Sequence, residues 1–107
     1  MNIERELAVP QKHPCYEDHF PGSPIVPGAV LVAWLFSMIK DEFRDVRPKQ
    51  VKSIKFVSAA LPGDQCKVKL ELDTQREKIK VQLTRDETLV LKGEMLVSMA
   101  KTGEPGL

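Results

Sequence analysis

The run from Ile25 to Ile39 limits what this chain can fold into more than any other stretch. Its helical part, GAVLVAWLFSMIKDEF, spreads Ala29, Val30, Leu31, Val32, Ala33, Trp34, Leu35, Phe36, Met38 and Ile39 around the full circumference of a helix. A helix that is apolar on every side offers no face to water and must be enclosed. The run is broken by Pro27 and Gly28 and falls short of the ~20 residues of a membrane span, so a buried helix is expected. Its end, Lys40 to Arg44, turns charged and should emerge into water before a turn or loop over Asp45–Gln50.

The remaining chain supplies material to enclose that helix. Ile3, Leu7 and Val9 share one parity while Glu4 and Glu6 take the other, which predicts a short one-faced strand closed by Pro10. From Val51 onward the period is two. Cys66, Val68, Leu70 and Leu72 alternate with Gln65, Lys67, Lys69, Glu71 and Asp73; Ile79, Val81 and Leu83 alternate with Lys78, Lys80 and Gln82. In the last run Leu89, Leu91, Met95, Val97 and Met99 share a face with Gly93. These are half-buried antiparallel strands. The strand from Val51 to Leu61 is patterned less cleanly, with Ile54 and Phe56 on one face, and Pro62-Gly63-Asp64 after it is turn chemistry. The expectation is an α+β domain over residues 1–102, a curled antiparallel sheet wrapped around one long apolar helix, with 103–107 as a flexible tail. The side of the helix left open by one sheet calls for cover from a second copy of the domain.

Composition excludes several functions. With 16 basic against 15 acidic residues and a net charge of +1, no global field draws in nucleic acid or anionic lipid. Cys15 and Cys66 form no CxxC pair and belong to no zinc-type series, so free thiols in a reducing compartment are expected. His13 and Cys15 with Asp18 and His19 fit no strong metal spacing, and no metal or cofactor is expected. The N-terminus lacks signal-peptide character, which reads as a cytoplasmic protein beginning near Met1. Lys12, Arg44, Arg47, Lys49 and Lys52 would suit an acidic carrier protein as a patch, although singly each reads as solvated surface.

Chemistry concentrates ahead of the helix, in HPCYEDHFPGSPIVPG. Pro21, Pro24 and Pro27 each fix φ and stiffen the loop, so His19 should be held in a defined place. A helix starting near Pro27 or Gly28 has no Ser, Thr, Asp or Asn just before it to cap its first N–H groups. Those donors suit a polarised oxygen, and an imidazole nearby suits acid/base work on a carbonyl compound. Residue types alone leave open the alternative that the loop merely seats a satisfied histidine beside a helix.

The segment DHFPGSPIVPGAVL resembles the signature of the hot-dog-fold 3-hydroxyacyl-acyl-carrier-protein dehydratases, a GHFPxxPxxPG loop entering the central helix. Asp18 stands where that family usually has glycine, and from His19 through Gly28 the match is otherwise close. VKSIKFVSAALPGDQCKVKLEL is similar to the family's strand, Pro-Gly-Asp turn and strand, so the resemblance covers nearly the whole chain. It implies a hot-dog fold, usually dimeric, with an acyl tunnel along the central helix at the subunit interface. By position, His19 matches the histidine that handles the proton beside the thioester carbonyl, and Gly28 the glycine whose N–H polarises that carbonyl. The carbonyl of Ile25 matches the group that orients the imidazole, and Phe20 would line the pocket.

One expected group is absent. Where the family carries a helix Glu or Asp that helps expel the β-hydroxyl, this chain has Ala33; where a glutamine supports that acid, it has Ser37. Trp34 is similar to the tryptophan of a shorter subgroup linked to aryl polyene pigments, in which an Asp-Trp pair fills these positions. Ala33, Trp34 and Ser37 are therefore expected to line the substrate site without supplying an acid. Three readings follow: a dehydratase working through His19 alone or with a proton from Glu17, Asp18 or water; an acyl thioesterase; or a non-catalytic acyl-binding subunit of a heterodimer. The implied partners are an acyl thioester, on acyl carrier protein by family analogy, and a second hot-dog subunit, identical or not.

Overall fold

The computed structural model describes residues 1–14 and 25–99. Expectations for Cys15, Glu17, Asp18, His19, Phe20, the first two loop prolines and the 103–107 tail lie outside the described residues. In chain order the elements are β1 (Asn2–Ala8), α1 (Gly28–Glu42), β2 (Val46–Phe56), β3 (Gln65–Asp73), β4 (Lys78–Arg85) and β5 (Thr88–Met99). The strands form one sheet in the order β1-β3-β4-β5-β2, each neighbour pair antiparallel. Among the described residues no helix is long and apolar enough to cross a membrane.

The inward rows of the sheet are those the alternation anticipated. Ile3 pairs with Leu70, Leu70 with Val81, Val81 with Gly93 and Gly93 with Ile54, so one row crosses all five strands. Against this face α1 sets Leu31, Leu35 and Ile39, spaced four apart and fully buried or nearly so. Burying each contributes roughly 1.5–3 kcal/mol relative to exposure. The helix stops at Glu42, where the N–H of Phe43 turns back to the Ile39 carbonyl at 2.9 Å and the ring enters the core. Arg5 on β1 grips that end through Glu42 at 3.0 Å.

Three expectations are corrected. Residues 46–50 are strand rather than loop: Val46 is buried opposite Met99, and Pro48 is tolerated because β2 is a sheet edge. The pairing shifts between Pro48 and Gln50 and again between Val51 and Ser53, so Lys49 and Lys52 face no paired residue on β5. Each shift turns the side-chain alternation over, which hides the strand from a period-two reading. The same physics corrects β5: Thr84 pairs with Leu89 and Leu83 with Leu91, skipping Val90, so Val90 and Leu91 are both buried and Leu89 is only half-buried. The carbonyl of Val90 instead accepts the N–H groups of Val57 and Ser58, at 2.8 and 3.3 Å, and β2 ends at Phe56 rather than Leu61.

The Pro62-Gly63-Asp64 turn forms as expected, with Gly63 at φ +85°, a conformation side chains disfavour. It is pinned on both sides: Gly63 N–H donates to Val9 O at 2.9 Å, and the Asp64 carboxylate accepts from Leu61 N–H at 2.8 Å and Arg85 at 3.1 Å. Cys66 beyond it is a buried free thiol, its pKa pushed up by burial and by the neighbouring Asp64 carboxylate.

Candidate active site

The helix begins without a side-chain cap. Pro27 is extended, at φ −59° and ψ 143°, and its carbonyl accepts from Val30 at 3.0 Å and Leu31 at 3.2 Å. Proline has no N–H of its own, and among the described residues the N–H groups of Gly28 and Ala29 meet no acceptor. Two donors at the positive end of a helix thus remain available to an oxygen.

Beside them lies a cavity of about 470 Å³. One wall is residues 25, 26, 28 and 31, the other residues 56–60, and the Val26 N–H joins the walls through Ala60 O at 2.9 Å. The lining is apolar or small except for Ser58, whose hydroxyl already donates to Leu89 O at 2.8 Å. Over Gly28 stands the ring of Phe56, close enough that a Cβ at residue 28 would fall 2.7 Å from its Cζ. A side chain at residue 28 would therefore have to push the Phe56 ring aside.

Of the sequence-derived site residues, Ile25 and Gly28 meet in this cavity. Trp34 is half-buried farther along the helix, edge-on to the ring of His13 with centroids 5.7 Å apart and planes at 79°. Ala33 and Ser37 are exposed and lie on one side of α1 with Ala29, away from the Leu31–Leu35–Ile39 stripe. Within one chain they do not reach the cavity lining. Lys12, Arg44, Arg47, Lys49 and Lys52 are all exposed, Lys52 lying 3.7 Å from Glu94. Among the described residues no group of three or more His, Cys, Asp or Glu side chains is placed to hold a metal ion.

Sequence reasoning missed Phe56 and the chain after it. The pattern put Phe56 on one face with Ile54, and Phe56 is 50 % exposed where β2 ends, its ring tip against Gly28 at the helix N-terminus. A large aromatic immediately before the run Val57–Ala60 was the available signal. A larger groove of about 680 Å³ crosses the outer face of the sheet between lysine and glutamate side chains, but it contains no residue of the helix or its entry loop. The smaller cavity is the one that adjoins the helix N-terminus.

Comparison with known proteins bears on the family and the fold. The family profile named ApeI-like, described as ApeI dehydratase, matches residues 1–94. The 3-hydroxyacyl-[acyl-carrier-protein] dehydratase FabZ of Clostridium perfringens (strain SM101 / Type A) is 27% identical over 97 aligned residues, covering 80% of this chain and 70% of the relative. An uncharacterized protein from Erwinia carotovora subsp. atroseptica superposes with a TM-score of 0.80 at 19% identity, covering 92% of this chain and 83% of that one. The dehydratase heterocomplex ApeI:P from Xenorhabdus doucetiae gives 0.80 at 16% identity, covering 90% and 86%. The two structures share the fold, which is the hot-dog fold the sequence suggested. With the profile spanning all of the sheet and helix up to the middle of β5, this chain belongs to the ApeI-like dehydratase family.

Proposed function

We propose that this protein dehydrates 3-hydroxyacyl thioesters to trans-2-enoyl thioesters. The thioester carbonyl would accept a hydrogen bond from the N–H of Gly28, which draws electron density from the adjacent carbon. The His19 imidazole would take the proton from that carbon, and the imidazolium so formed would return it to the β-hydroxyl, which leaves as water while the C–H electron pair forms the double bond. Ile25 and Phe20 would orient the imidazole and line the pocket. The observation that carries this reading is the uncapped N–H of Gly28 opening beside an apolar cavity, on a chain of dehydratase ancestry. Apolar walls suit an acyl chain, and two N–H donors with no acceptor among the described residues suit the oxygen at its head.

Ala33 cannot protonate a leaving hydroxyl, and general acid help is typically worth about 10²–10⁴-fold, so slow turnover is expected. The acyl group is proposed to arrive on acyl carrier protein, as the substrate name of the FabZ relatives implies. A second hot-dog subunit, identical or related, is proposed to complete the site; the ApeI:P neighbour is itself a heterocomplex. Purified protein at high concentration should interconvert 3-hydroxyacyl and trans-2-enoyl thioesters, followed by enoyl absorbance. His19→Ala should abolish the reaction, and Ala33→Glu should raise it by about 10²-fold or more. Release of free thiol in place of the enoyl product would identify a thioesterase instead.

A further inference from the structure

Phe56 and Gly28 both line the cavity, and the tip of the Phe56 ring lies against Gly28. Three atoms at the far end of its ring, Cζ, Cε1 and Cε2, lie 2.7, 2.9 and 3.2 Å from where a Cβ on Gly28 would be. In a helix the Cα–Cβ direction tilts toward the N-terminus, so the ring tip sits on the flank from which the first N–H groups are approached. Leu31 in the same lining is 2% exposed and fixed in the core, whereas Phe56 is 50% exposed. The backbone beneath the ring is held, because Val57 and Ser58 both donate to Val90 O. Movement there belongs to the side chain, and half-exposed side chains change rotamer on fast timescales without disturbing a sheet. The neighbouring Ala59 and Ala60 are small and uncharged, which leaves ring bulk as the main limit on what fits.

We infer that Phe56 is the gate and the size filter of this cavity: its ring swings off Gly28 to admit an acyl thioester, and its bulk restricts the acyl group accepted beside the helix. The inference rests on the acyl-thioester reading above. Its test is a series of full-length Phe56→Ala, Phe56→Leu and Phe56→Trp variants, measured with short, long and branched 3-hydroxyacyl N-acetylcysteamine thioesters. Binding of unreactive thioether analogues is read by calorimetry alongside turnover. Phe56→Ala should improve long and branched acyl groups over the short one by about tenfold in Kd or kcat/KM, Phe56→Leu by less, and Phe56→Trp should shift preference the other way. A merely structural role would weaken all substrates uniformly and leave the ratio unmoved. If the wild type binds acyl probes and the variants keep its profile, the gate is overturned while the functional reading stands. If the wild type neither binds nor turns over any probe, both are overturned. Should the alanine variant fail a thermal-unfolding check, the leucine and tryptophan variants decide.

Discussion

Gly28 is the residue on which entry loop, helix and cavity converge, and Gly28→Ala separates their roles. An added methyl would occupy the space of the Phe56 ring tip, but the ring is half exposed and has solvent to move into. Alanine also gains up to about 1 kcal/mol over glycine in a helix, which offsets part of the lost contact. The expected urea unfolding free energy therefore changes by less than about 1 kcal/mol, while thioester turnover falls sharply because the methyl crowds the N–H. A loss of several kcal/mol would show that the ring is locked in place and would count against its acting as a gate. The glycine was legible in the sequence from its place after Pro27; its partner Phe56 was not, because the two lie far apart in the chain and only the sheet brings them together.

At the level of elements, the helix is less uniform than its composition. Leu31, Leu35 and Ile39 face the sheet while Ala29, Ala33 and Ser37 are exposed, so the residues that look equally apolar in sequence carry unequal energies. Leu35→Ala should cost about 2–5 kcal/mol in denaturant unfolding. Ser37→Ala should stay within about 0.5 kcal/mol. Equal effects would mean that the helix is docked by a different face. Strands β3 and β4 were readable because their pairing runs without interruption from Cys66 opposite Arg85 to Asp73 opposite Lys78. Strand β2 was readable only from Val51 onward, since the shifts at Lys49 and Lys52 invert the alternation twice within eleven residues.

At the scale of the molecule, the sheet covers one side of the helix and, among the described residues, the other side is exposed. The uncovered side carries Ala29, Ala33 and Ser37, and the chain also exposes Val51, Phe56, Val57 and Leu61. Small side chains on a helix permit close approach of another backbone, and exposed large apolar groups on an edge strand and its extension favour burial against a partner. We therefore expect light scattering to give about twice the 12.0 kDa chain mass for the wild type, and Ala33→Arg, a bulky charge in the middle of that face, to give the single-chain mass. An Ala33→Arg protein that keeps the larger mass would place the interface elsewhere. Loss of turnover together with the larger species would indicate that the site is completed between subunits.

The sequence by itself determined a single apolar helix, most of the one-faced strands beside it, and a helix start after Pro27 without a side-chain cap. Those features are written in local periodicity and in the conformational limits of proline and glycine, which act over a few residues. Tertiary structure alone decided that the helix splits into a buried leucine stripe and an exposed alanine face, that β2 begins at Val46, and that Phe56 meets Gly28. The reason is common to all three: each depends on the register between strands and on which element packs against which, and an antiparallel sheet with skipped residues at Lys49, Lys52 and Val90 sets that register through contacts remote in sequence.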